Sequence, residues 1–129
     1  MTAIAFILIV KIAVTAVLTA APFLLTPEPQ LAAMLRTTGD GARVIFRLYG
    51  VAVLALLVGY GSGFWTIAEG RFPFGVAAMG VVSNGGAAAA LLITGGWRRA
   101  RLVTAFVAGI AVVLLLAAAF SRQALAPLW

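Results

Sequence analysis

Four long stretches of hydrophobic residues, separated by short polar connections, make up most of this 129-residue chain. Apolar residues follow one another in each stretch without the strict alternation of a membrane-barrel strand. Each stretch holds about 19 to 24 residues, and a helix needs about 20 to cross a hydrocarbon core. Backbone amides in lipid must be bonded within their own segment, so each stretch is predicted to be a helix. We therefore predict an all-α integral membrane protein with spans at residues 3–25, 44–67, 72–94 and 102–120.

The connections predict how these spans are arranged. Residues 68–71 and 95–99 are tight links with glycine, which favours the left-handed conformation that ends helices. Short links make neighbouring helices antiparallel, so we expect a four-helix up-down bundle forming one membrane domain over residues 1–129. In the longer first connection, Leu31, Met34 and Leu35 recur at helical spacing. They predict a short interfacial helix between spans one and two, with an ordered loop as the alternative.

The first span also has a feature of a secretory signal peptide, because small residues at positions 19–21 resemble a cleavage site. No basic residue precedes the apolar stretch, however, and the stretch is long for a signal sequence. We expect it to be a retained membrane span.

Composition excludes several classes of protein. Hydrophobic residues make up 64% of the chain. Charged residues make up 9%, whereas about 25% of the residues of a soluble domain are charged, and this excludes a soluble globular protein. The chain has neither cysteine nor histidine, which excludes disulfides, thiolate metal sites and imidazole catalysis. The acidic residues Glu28, Asp40 and Glu69 lie near span ends, and no two are spaced on one helix face. We expect no enzyme activity, no metal site and no cofactor.

The net charge of +6 comes from basic residues near the span ends, as insertion bias produces, and does not indicate a nucleic-acid partner. Six arginines flank the first and third connections, whereas two lie on the opposite side: respectively Arg36, Arg43, Arg47, Arg98, Arg99 and Arg101, and Arg71 and Arg122. This asymmetry predicts both termini on the non-cytoplasmic side. Eight arginines to one lysine, with abundant alanine, is typical of a GC-rich bacterial gene, so we expect a bacterial inner membrane.

Lys11 is the sharpest anomaly, because a lysine within a span costs about 2.5 to 3.5 kcal/mol on insertion scales. One prediction pairs it with Glu69, which is expected on the same side of the membrane. The alternatives are a functional pocket around Lys11 and a side chain that reaches the headgroups along its aliphatic stem.

Asn84, beside Ser83, is predicted near the middle of the third span, where its amide needs a partner. It either holds helices together or, with Gly85 and Gly86, lines a ligand or quinone pocket. Small residues also predict close helix packing, at Ala55, Gly59, Gly63, Gly85 and Gly86.

The sequence is compatible with three functions. The first is an accessory or scaffold subunit of a larger membrane complex, which fits the small-residue strips and short loops. The second is a small oligomeric transporter or channel with Lys11 in its pathway, and the third is a lipid, quinone or pigment binder. Arg98, Arg99 and Arg101 are expected either to bind anionic lipid headgroups or only to anchor the span ends. The expected partners are membrane lipids and either a membrane protein or further copies of this chain.

Overall fold

The computed structural model describes residues 1–27, 29–30, 33 and 40–128. The secondary structure of this part is helical, and the helices are interrupted by short turns. Helix α1 covers Ala3–Thr15 and continues through a π-helical turn, Ala16–Ala20, into α2, Ala21–Leu25. The later elements are α3, Asp40–Ala68; α4, Phe74–Ile93; a 3-10 turn, Gly96–Arg98; α5, Arg101–Ala119; and α6, Ser121–Leu125.

The expected membrane spans are confirmed as helices. Among the described residues, four helical segments are long and apolar enough to cross a membrane: Ala3–Leu25, Val44–Ala68, Phe74–Ile93 and Arg101–Ala119. Helix α3 extends beyond its span, since its 29 residues measure about 43 Å. The expected interfacial helix depends on Leu31, Met34 and Leu35, which lie outside the described residues. The up-down order of the spans stays a prediction.

Glycine ends two of the spans, as its position in the sequence predicts. Gly70 has φ +72°, and the amide of Arg71 bonds to the carbonyl of Thr66 at 3.0 Å. The Gly70 amide bonds to the carbonyl of Ile67 at 2.9 Å, which completes a Schellman motif. Gly95 has φ +73° and ends α4 in the same left-handed conformation. These turns place residues 69–73 and 94–100 between successive spans.

The π-helical turn lies directly before a proline in the first span. The amide of Ala21 bonds to the carbonyl of Ala16, five residues back. Pro22 has no amide hydrogen and its ring crowds the carbonyl four residues earlier in a regular helix. A locally wider turn relieves that crowding, so the span continues past Pro22.

The chain divides into two compact units, Val10–Gly61 and Met1–Ile9 with Ser62–Trp129. In the unit formed by Val10–Gly61, the first span runs antiparallel to α3, because Lys11 lies near Tyr60 and Phe23 near Phe46. The single membrane domain expected over residues 1–129 stays a prediction.

The unit formed by Met1–Ile9 and Ser62–Trp129 has α4 packed along α5. Ile4, Leu8 and Leu114 are completely buried in it. Residues near the two ends of the chain also meet here, because Thr2 forms an isolated antiparallel bridge with Pro127. The amide of Leu128 bonds to the carbonyl of Met1 at 3.0 Å.

Candidate functional site

Lys11 lies on the buried face of the first span. It follows Ile4 and Leu8 at helical spacing, and only 6% of its surface is exposed. Its Nζ donates a hydrogen bond to Thr15 Oγ1, 3.1 Å away. Thr15 is one turn further along the same helix, so this bond draws the ammonium along the helix instead of outward. The alternative in which Lys11 reaches the headgroups requires an exposed ammonium, and this burial does not favour it.

The ring of Tyr60 forms the second described contact of the Lys11 ammonium. Nζ lies 5.6 Å from the ring centroid, within the range of a cation–π interaction. Tyr60 is 1% exposed and follows Val53 and Leu57 along one buried face of α3. The Lys11 ammonium therefore contacts a hydroxyl oxygen and an aromatic face within this span.

Glu69, the expected partner of Lys11, lies in the exposed turn after α3. Its carboxylate forms a hydrogen-bonded ion pair with the guanidinium of Arg71. The hydrogen bond and the positive charge of Arg71 hold the pKa of Glu69 below its usual value. Lys11 and Glu69 belong to different compact units, and their pairing stays a prediction.

Asn84 is 2% exposed at the middle of α4. Its Nδ2 donates to the carbonyl of Gly80 at 2.7 Å and to Ser83 Oγ at 3.3 Å. Ser83 Oγ in turn donates to the same Gly80 carbonyl at 3.4 Å. These bonds lie within one helix, and they satisfy part of the hydrogen-bonding capacity of the buried Asn84 side chain. In the described part of the chain, every buried side-chain nitrogen or oxygen has a hydrogen-bond partner.

The small residues expected at helix contacts have different surroundings. Gly63 is buried, and a Cβ built on it would lie 3.0 Å from Leu8 Cδ1 and 3.3 Å from Val76 Cγ1. Gly59 is half-buried and Ala55 is exposed. A Cβ on Gly85 would reach Ala111 at 3.9 Å, an ordinary contact.

Gly86 points outward from α4, like Gly75 near the start of that helix. Both are exposed, and a Cβ on either would meet nothing within 4 Å. The buried positions of α4 are instead Ala77, Gly80, Asn84 and Ala88.

Arg47 has a structural role that charge counting missed. Its Nη1 donates to the carbonyl of Phe23 at 2.7 Å and its Nη2 to the carbonyl of Thr26 at 2.8 Å. These carbonyls lie at the end of α2, where helix carbonyls lack amide partners and carry partial negative charge. Phe23 also stacks on Phe46, with ring centroids 5.5 Å apart. The aromatic residues close to Arg47 in the sequence could have indicated that this part of α3 packs against another helix.

The turn between α4 and α5 carries the basic residues expected at headgroups. Arg98 and Arg99 line an open recess together with Thr94, Gly95 and Gly96. The guanidinium carbon of Arg98 lies 5.8 Å from the ring centroid of Trp97. Arg101 begins α5 and does not line this recess. Among the described residues, no three His, Cys, Asp or Glu side chains come together as a metal site.

No protein-family model, curated protein or solved structure matches this chain. The exposed and buried faces of the spans therefore provide the indications of function.

Proposed function

We propose that this chain is a small non-catalytic subunit, accessory or scaffold, of a larger assembly in a bacterial cytoplasmic membrane. The observation that carries this proposal is the outward face of α4, which consists mainly of small residues. Exposed positions recur along it every three or four residues, at Gly75, Ala78, Val82, Gly86 and Ala89. We call this set the outer α4 face.

A glycine on a helix surface that faces lipid lowers the stability of the helix, and no contact at that position compensates for the loss. It destabilises a helix by about 0.5 to 1 kcal/mol relative to alanine. Close approach of a second helix provides the gain, because small residues allow backbones to pack tightly in membranes. Gly75 and Gly86 have the space for such an approach, since a Cβ on either would meet nothing within 4 Å.

Helix α5 provides the internal comparison. Six of its ten exposed residues are large and branched, which suits contact with acyl chains: Leu102, Val103, Val112, Val113, Leu115 and Leu116. Two neighbouring helices of one unit thus present different outward surfaces. The difference supports a protein contact on α4 and a lipid contact on α5.

The extent of burial leaves room for such a partner. In the most apolar part of each span, only 17% to 22% of the residues are buried within the chain. Lipid or another membrane protein must therefore cover most of each span. We assign the outer α4 face to a helix of a partner subunit.

The test compares two glycines that are both open in this chain. Gly86→Leu fills the outer α4 face, and Gly109→Leu adds the same side chain to α5, where a Cβ also meets nothing within 4 Å. Native mass spectrometry after release from native membranes in mild detergent measures the assembly. We expect wild type and Gly109→Leu in a larger complex with other proteins, and Gly86→Leu released from it. Thermal unfolding of the purified chain should shift slightly upward and by a similar amount in both variants, because leucine forms helices better than glycine.

Two results would contradict this proposal. One is equal retention of Gly86→Leu and Gly109→Leu in the complex, which would remove the outer α4 face from the contact. The other is a wild-type chain found only as a monomer or as copies of itself, which would remove the partner subunit.

Lys11 supports a second candidate function, passage of an anion through an oligomer of the chain. Its buried ammonium near Tyr60 is the observation in favour, because ionisable groups within spans commonly mark ion pathways. Chloride flux into proteoliposomes tests this function. Flux in wild type that is lost in Lys11→Gln would support it, and absence of wild-type flux would contradict it.

A further inference from the structure

The turn between α4 and α5 forms an open recess with a volume of about 430 Å³. It is lined by Thr94, Gly95, Gly96, Arg98 and Arg99. Binding pockets for small molecules have volumes of about 300 to 1,000 Å³, so the recess has room for a lipid headgroup.

Its position in the chain places the recess at headgroup depth. The apolar helix α4 ends at Ile93, which is 86% exposed, and α5 has the similarly exposed Leu102 in its first turn. Both side chains are suited to acyl chains, so the turn between them lies where the hydrocarbon ends. Trp97 lies in the same turn, and tryptophan is enriched at this level of a membrane.

Glycine shapes the recess from the backbone side. Gly95 has φ +73°, a conformation that other residues rarely adopt. At Gly96 a Cβ would lie 3.1 Å from Leu91 Cδ2, so a side chain would crowd the end of α4. The chain therefore turns tightly here, within the segment that also contains the two arginines of the recess.

The charges of the recess are positive. Arg98 and Arg99 both line it, and the sequence has no acidic residue after Glu69. The guanidinium carbon of Arg98 lies 5.8 Å from the ring centroid of Trp97, within the range of a cation–π interaction. A guanidinium presents paired N–H donors that match two oxygens of a phosphate, which an ammonium cannot do in the same way.

We propose that this recess binds the phosphate of an anionic phospholipid headgroup, with Arg98 and Arg99 as the hydrogen-bond donors. The site is independent of the outer α4 face, because it lies in the turn beyond the end of that helix. Because the recess lies at headgroup depth, we expect the phosphate to belong to a lipid and not to be a dissolved phosphate ion.

The experiment measures lipid binding to the purified full-length chain by native mass spectrometry. Phosphatidylglycerol and phosphatidylcholine of equal chain length are titrated separately. We expect preference for phosphatidylglycerol, reduced about fivefold by Arg98→Gln and about fivefold by Arg99→Gln, because each substitution removes charge-assisted hydrogen bonds to the phosphate. Arg101→Gln is the matched control, because it removes the same charge from the same connection outside the recess. It should change the preference by less than about twofold.

Two further measurements separate a built site from general attraction. Arg98→Lys keeps the charge but loses the planar donor pair, and it should lose most of the preference. Thermal unfolding in lipid-free detergent should be the same for all four variants, which would exclude a merely structural effect.

Three results would overturn the proposal. Equal losses in Arg98→Gln, Arg99→Gln and Arg101→Gln would show diffuse attraction by the basic turn. Full preference in Arg98→Lys would show that charge alone suffices. Competition by millimolar inorganic phosphate that removes bound phosphatidylglycerol would identify a site for the free ion instead.

Discussion

Arg47 illustrates how one side chain can join two helices. Its guanidinium bonds to the carbonyls of Phe23 and Thr26, both at the end of α2, from a position on α3. Arg47→Ala should lower the free energy of unfolding by about 1.5 to 3 kcal/mol, because hydrogen bonds to a charged group are lost at a helix terminus. Unfolding of the purified chain in mixed detergent micelles measures this change.

The control for Arg47 is Arg122→Ala, which removes an equal charge from an exposed position on α6. Its effect should be within about 0.5 kcal/mol of zero. Arg47→Lys should recover only part of the loss, since an ammonium does not reproduce the planar pair of donors. A lysine variant as stable as wild type would show that charge, and not the two-carbonyl geometry, is what Arg47 provides.

Glu69 has a pH dependence that follows from Arg71. The hydrogen bond and charge of Arg71 lower the pKa of Glu69 in the folded chain. The pair therefore stabilises the fold above the unfolded-state pKa, and this contribution is lost as pH falls through the lower folded-state pKa. The effect on stability should be small, because the pair is exposed.

Carbon-13 NMR of the glutamate carboxyl groups tests this shift directly, since the sequence has only Glu28 and Glu69 to label. Arg71→Gln should raise the pKa of Glu69 toward its usual value. Glu69→Gln assigns the signal. Titration of Glu69 at the same pH in wild type and Arg71→Gln would disprove the assigned cause.

At the scale of helices, two glycines of α3 should respond oppositely to the same substitution. A Cβ on Gly61 meets nothing within 4 Å, so Gly61→Ala should stabilise the chain by about 0.5 to 1 kcal/mol through helix propensity. A Cβ on Gly63 lies 3.0 Å from Leu8 and 3.3 Å from Val76. Leu8 is fully buried and valine is stiff, so neither yields easily, and Gly63→Ala should destabilise by about 1 to 3 kcal/mol.

Detergent-induced unfolding of both single variants, and of the double variant, checks this pair. The double variant should show a net loss, because the crowding at Gly63 exceeds the gain at Gly61. Stabilisation by Gly63→Ala would mean that Leu8 finds another rotamer and that α3 does not need a glycine there.

The sequence predicts the spans well because crossing a bilayer depends on apolar length, which hydropathy reports directly. It predicts the ends at Gly70 and Gly95 because only a few residue types adopt the left-handed conformation. It could not orient Lys11, since the apolar residues surround the first span and define no unique inner face. The direction of Gly86 had the same difficulty, because glycine suits a buried contact and an outward one equally.

At the scale of the whole molecule, the two ends of the chain provide an internal constraint on topology. The bond from Leu128 to Met1 and the bridge between Thr2 and Pro127 hold these residues together. Residues that are hydrogen bonded in this way lie on one side of a membrane, which requires an even number of crossings between them. Four crossings satisfy that requirement, and the arginine asymmetry favours the non-cytoplasmic side for both ends.

Cysteine labelling tests this orientation cleanly, because the chain has no cysteine of its own. We choose Ala68→Cys, Thr94→Cys and Gln123→Cys, which are exposed positions whose substitution changes no charge. A membrane-impermeant maleimide added to intact cells should label Ala68→Cys and Gln123→Cys. Thr94→Cys should react only after permeabilisation, because α4 separates it from Ala68 and α5 separates it from Gln123. The reverse pattern would invert the orientation while keeping four spans, whereas labelling of Ala68→Cys and Thr94→Cys from the same side would show that α4 does not cross.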